Sequence, residues 1–182
     1  MKRILTLLIA VLVLLTATVA SGCSCTGCGV KPVPLTIDNH RGVVIDLEYP
    51  SSFTYSESTP GYGILGQDAL THNGTLQGEY DVSFNCCKLH ENTYDSVDTF
   101  AAQFKGCDLF EETTISNTKA YAKQFGDTPL EIIVPYSSQS FVEILVKLPA
   151  GNVSAYKNIY NSTRFQDMLK TIRIQATEEA KK

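Results

Sequence analysis

Cysteine is the residue type with the most chemistry to offer in this chain, at positions 23, 25, 28, 86, 87 and 107. Cys25-Thr26-Gly27-Cys28 has the spacing of a redox pair. That chemistry needs a helix starting at the first cysteine to lower its pKa. Gly29-Val30-Lys31-Pro32-Val33-Pro34 follows instead and cannot supply the helix. Cys23, Cys25 and Cys28 together have the spacing of a soft-metal thiolate set. A thioether on Cys23 would take one ligand away, so no metal is assigned, and a Cys25–Cys28 disulfide is the plainer reading. Cys86 and Cys87 are adjacent, and a bond between them would strain the backbone. A disulfide from Cys107 to Cys86 or Cys87 is expected instead. It closes a loop of about 20 residues, worth roughly 3 kcal/mol in the chain-entropy model.

Other constellations are thin. His40, His72 and His90 are far apart and form no metal-binding pair. Ser51-Ser52 and Ser137-Ser138 lie in turns without a nucleophile elbow. Glu111-Glu112 reads as a solvated acidic pair at a strand start. No glycine-rich loop opens a helix, so phosphate binding is unsupported and no cofactor is expected. Basic residues are scattered and aromatics fall on core faces, which argues against nucleic acid as a partner. Asn73, Asn152 and Asn161 stand in N-x-S/T sequons, acceptors only where exported proteins are glycosylated.

The elements that place these residues begin with an export signal. Lys2 and Arg3 precede an uncharged, largely apolar run from Ile4 to Ala20, and small residues lead into a cysteine. Ala20-Ser21-Gly22-Cys23 resembles the lipobox of lipoproteins, which makes residues 1–22 the signal peptide and Cys23 the acylated residue. A plain cleaved signal and an uncleaved anchor are the alternatives, with the globule on the outer side in each case. Cutting before Cys23 leaves 160 of the 182 residues, enough for one domain with a full core. The net charge of −4 becomes −6 once Lys2 and Arg3 are gone. An acidic globule needs something other than electrostatics to stay at a membrane. The oxidising surroundings outside permit disulfides.

Residues 23–34 are small and polar with Gly27, Gly29, Pro32 and Pro34, and read as a tether. The globular domain is expected over 35–175. Val43, Ile45, Leu47 and Tyr49 alternate as a half-buried strand ended by Pro50. Residues 52–55 give a short strand and 56–66 a loop. Asn73-Gly74 predicts a hairpin turn between 69–71 and 76–77. Tyr80, Val82, Phe84 and Cys86 form the next strand, with Cys86 on its apolar face and Cys87 on its polar face. Asp95 or Ser96 caps a helix with Val97, Phe100, Ala101 and Phe104 on one side, closed by Gly106. Strands at 118–125, 130–136 and 141–148 make a meander. Together with 43–49 and 80–86 they are expected to form one sheet, with Val97–Phe104 packed on it. Two helices follow, around 153–160 and from a cap at Ser162 or Thr163, then a strand at 171–174 and a charged tail over 176–182.

Antiparallel runs of strands with helices between them predict an α+β fold, an antiparallel sheet with flanking helices. Tyr49-Pro50-Ser51-Ser52-Phe53 and Phe165-Gln166-Asp167-Met168-Leu169-Lys170-Thr171-Ile172-Arg173-Ile174 resemble the opening and closing segments of PsbP-like domains. The resemblance implies an α/β sandwich from about Val43 to Ile174 and a non-catalytic binding or assembly role outside the cell. No functional residue of that family is carried over. The reading is a lipoprotein held on the outer face of the cytoplasmic membrane, binding another protein. Its alternatives are a thiol or metal protein using the N-terminal cysteines, and an enzyme whose site is assembled from scattered residues in the Ser56–Gly66 loop.

Overall fold

The computed structural model describes residues 31–39, 42–57, 67–90, 93–149 and 151–181, with 67–73 as backbone. Among the described residues ten strands and three helices follow in order: β1 Pro32–Asp38, β2 Val43–Pro50, β3 Thr54–Ser56, β4 Gln67–Gln77, β5 Asp81–Leu89, α1 Val97–Ala102, β6 Leu109–Ile115, β7 Thr118–Gln124, β8 Leu130–Pro135, β9 Ser140–Lys147, α2 Val153–Tyr160, α3 Thr163–Thr171 and β10 Arg173–Ala176. The fold is α+β, and every strand pairing is antiparallel.

The strands divide between two sheets, not the single sheet expected. One has the order β1-β2-β10 and the other β3-β4-β5-β9-β8-β7-β6. β2 therefore lies outside the sheet that holds β5, β7, β8 and β9. The alternation of β2 buries Val43, Ile45 and Leu47, which join Val82, Phe84, Ile132, Ile144 and Val146 of the larger sheet in one core. Tyr156 and Tyr160 of α2 and Phe165, Met168 and Leu169 of α3 belong to that core. The opposite face of the larger sheet is covered at one end by α1. There Val97, Phe100 and Ala101 cluster with Cys87, Leu89, Tyr121, Ile133 and Phe141.

Local chemistry sets most boundaries. Ser96 caps α1 by accepting from Thr99 N, Asn152 caps α2 from Ala155 N, and Ser162 caps α3 from Phe165 N. Each satisfies a backbone N–H that the first helical turn leaves free. Ser116 and Asn117, at φ 54° and 60°, form the two-residue turn between β6 and β7. Positive φ at both positions matches the right-handed twist of the flanking strands.

Several expectations are corrected. Residues 32–34 are not tether: they open β1, where Pro32 pairs with Pro50 and Pro34 with Glu48. Asn73-Gly74 is not a hairpin turn but part of the continuous strand β4, at a register irregularity opposite β5. Gly74 takes φ +153°, and the Tyr55 ring of β3 occupies the place its Cβ would fill. Gly106 does not close α1 at positive φ. The helix ends at Gln103 in the right-handed region, and the chain continues in tight turns through Cys107. β6 runs over 109–115, so Glu111 and Glu112 stand inside a strand rather than at its start, and the last strand is 173–176 rather than 171–174. Residues 58–66, read as a loop, lie outside the described residues. Among the described residues no helix is long and apolar enough to cross a membrane.

Candidate functional site: a carboxyl pair on the outer sheet face

Residues alternate in and out along a strand, and register then decides which outward residues meet. On the face that carries α1, β7 presents Tyr121 and Lys123, β8 presents Glu131 and Ile133, and β9 presents Phe141, Glu143 and Leu145. β5 adds Ser83, Asn85 and Cys87. The apolar end of this face lies under α1, and the polar end lies beside it.

Lys123 Nζ donates to Glu131 Oε2 at 2.7 Å, with each side chain only 16% exposed. The same ammonium stands 3.6 Å from the centre of the Phe104 ring, in the turn after α1. Asn85 Nδ2 donates to Glu143 Oε2 at 2.8 Å. Burial pushes the Glu131 carboxyl up to about 7; the Lys123 charge opposes this and the Glu143 charge adds to it. Burial also pushes the Cys87 thiol far up, with Glu143, Cys86 and Glu131 adding, so Cys87 is a neutral, inert thiol. A groove of about 390 Å³ runs over this region, lined by Phe104, Cys107, Phe125, Pro129 and Leu145 among others. Phe125 at its rim is 62% exposed.

None of Cys86, Cys87 and Cys107 is in a disulfide, which corrects the bridge expected from Cys107. Cys107 lines the groove with Lys123, Glu131 and Leu145. Cys87 pairs with Phe141, four residues along β9 from Leu145, or about 13 Å at the strand rise of about 3.3 Å per residue. Cys86 points to the opposite face, into the main core. The polar face expected for Cys87 is itself covered by α1, so both adjacent thiols are buried.

The other sequence candidates do not gather here. Cys23, Cys25 and Cys28 lie outside the described residues, as does His40. Asn73 lies within β4. Asn152 is the exposed cap of α2, and Asn161 is exposed at its other end. Glu111 and Glu112 are exposed on β6, and Glu112 pairs with Lys119 at 3.0 Å. The residues that the structure does bring together, Lys123, Glu131, Glu143 and Asn85, were not singled out from sequence. Their one signal was the alternation of the meander, which sets a carboxylate among apolar neighbours in each of two successive strands.

No family model matches the chain, and no curated protein matches it. Among solved structures it is similar to the solution structure of cyanobacterial PsbP (CyanoP) from Synechocystis sp. PCC 6803. The likeness covers 86% of this chain and 98% of that one, with a TM-score of 0.46 and 8% sequence identity.

Proposed function

We propose that this chain is a non-catalytic binding domain held on the outer face of the cytoplasmic membrane by acyl chains on Cys23. The observation that carries the reading is the basic start, the apolar run from Ile4 to Ala20 and the Ala20-Ser21-Gly22-Cys23 junction. Charge supports it: a mature part at −6 gains nothing from anionic head groups, so a hydrophobic anchor has a role that electrostatics does not fill. Acyl chains contribute about 0.8 kcal/mol per buried CH₂, and a diacylated cysteine suffices to hold a globule at a bilayer. The bound partner on this reading is another protein. A second reading, an acid–base enzyme, has the raised Glu131 in its favour. Against it, Lys123 holds one oxygen of that carboxyl at 2.7 Å.

The test is detergent-phase partitioning of the full chain expressed in its own cells, with mass spectrometry of the N-terminal peptide. The expected result is partition into detergent and a diacylglyceryl mass on Cys23. The Cys23→Ser chain should appear in the aqueous phase or remain uncut. Wild-type partitioning of Cys23→Ser would overturn the anchor. Cross-linking on intact cells, read by mass spectrometry, then identifies the bound protein. Turnover of a substrate that Glu131→Gln abolishes would overturn the non-catalytic part.

A further inference from the structure

The outer face of the seven-stranded sheet sets one ammonium against two carboxyl groups. Glu131 pairs with Leu145 and Ile133 with Glu143, so Glu131 and Glu143 are diagonal neighbours on one face. Diagonal positions are within reach of long side chains. Lys123 from β7 and Asn85 from β5 each satisfy one oxygen of the pair. Glu131 Oε1 is buried and, among the described residues, meets no donor. The remaining titratable groups facing Glu131 are Cys87 on β5, kept neutral by burial, and Cys107 in the turn after α1. Two ionised carboxylates leave the trio one negative charge in excess and offer each other no proton. One shared proton removes the excess charge and gives the orphaned oxygen a hydrogen bond.

Lys123 also reaches across to the turn that joins α1 to β6. That turn is closed by Cys107 N donating to Phe104 O at 2.9 Å. Its Phe104 ring rests on the ammonium at 3.6 Å. Lys123 thus links the turn to the carboxyl pair.

We propose that Glu131 keeps its proton just below neutral pH with the Glu143 carboxyl beside it as acceptor, and that its loss to solvent on alkalinisation releases the Phe104–Cys107 turn from the sheet, making that turn a pH-operated clasp. Without the proton, the two carboxylates repel each other in a poorly solvated site. One of them moves outward, and Lys123 follows the charge and leaves the Phe104 ring. The groove beside Cys107 then opens to water. The raised pKa of Glu131 agrees with this geometry, because burial and the charge of Glu143 both favour the protonated form.

The experiment is a pH titration of the intact protein by NMR, following the carboxyl carbons of Glu131 and Glu143 and the backbone amides from Phe104 to Cys107. The expected result is one carboxyl midpoint at about 7, with the turn amides moving at that same midpoint. Hydrogen exchange in the turn should accelerate above it beyond the intrinsic dependence on pH. Glu131→Gln should abolish the neutral midpoint and the linked movement. Two results overturn the proposal: both carboxyls titrating in the ordinary carboxylate range, or a neutral midpoint to which the turn amides do not respond. Should Glu131→Gln fail to fold, the wild-type titration alone decides, since both results are read on it.

Discussion

Replacing Glu131 by glutamine removes a buried titrating group and should reshape the dependence of stability on pH. In the folded chain burial lifts this carboxyl from 4.5 to about 7. In the unfolded chain it returns to the ordinary range. Below about pH 4 both states hold the proton and the group has no effect. As pH rises, the unfolded state loses its proton first, so folding becomes progressively less favourable. Above the folded value both states are ionised and the loss is complete. At about 1.4 kcal/mol per pH unit, the interval from 4.5 to 7 amounts to about 3 kcal/mol. The side chain is 16% exposed, so little is discounted for solvent. The assay is urea unfolding of wild type and Glu131→Gln at pH 5 and pH 8, read as the difference between the two proteins. Titrating groups that do not interact with Glu131 are common to both and cancel. The gap should move in favour of the variant by about 2–3 kcal/mol between those pH values. Parallel profiles would refute the reasoning, because they would mean that Glu131 ionises alike in folded and unfolded chains.

Two further outcomes follow from packing and exposure. Phe100 is 6% exposed and stacks on Phe141 with ring centres 5.8 Å apart. Phe100→Ala should therefore lose about 3–5 kcal/mol in urea unfolding, and a loss under about 1 kcal/mol would mean that α1 does not hold this face. Cys107 is partly exposed whereas Cys86 and Cys87 are buried. A maleimide should label Cys107 in the native protein and the other two only after denaturation, whereas a bridged Cys107 peptide from a non-reducing digest would contradict the unbridged thiols.

The sequence revealed the elements better than their assembly. Where a strand has one buried face, its period shows, as in Val43-Ile45-Leu47 and in Val142-Ile144-Val146. The caps Ser96 and Ser162 were legible because their chemistry is local. The bounds of β6 were not legible because it is an edge strand: Leu109 and Ile115 are buried at its ends and polar residues fill its middle. Asn73-Gly74 misled because the signal for a tight turn is also a signal for positive φ, which an irregular strand uses as readily. The division into two sheets depends on β2 choosing β1 and β10 over the meander, a long-range pairing that no local pattern encodes. The same holds for Cys87, since alternation tells which face a residue takes but not what covers that face. The carboxyl pair lay beyond reach for a related reason: Glu131 and Glu143 meet only once the register of β8 on β9 is known.

The three-stranded sheet has a consequence for the order in which the chain acquires structure. Its middle strand, β2, finds one neighbour at once in β1 but the other only in β10, where Arg173 pairs with Asp46 and Ala176 with Val43. A chain emerging from its N-terminus must hold β2 half-paired while everything between is made. In that interval Ile45 and Leu47 have neither α3 nor β10 beside them. Contacts so distant in sequence slow folding and lengthen the exposure of an apolar strand edge. The meander from β6 to β9, joined by short turns, can form without waiting. The last strand therefore acts as a completion step: a nascent or truncated chain lacking residues 173–176 would keep a docking edge open to any factor that guards unfinished proteins.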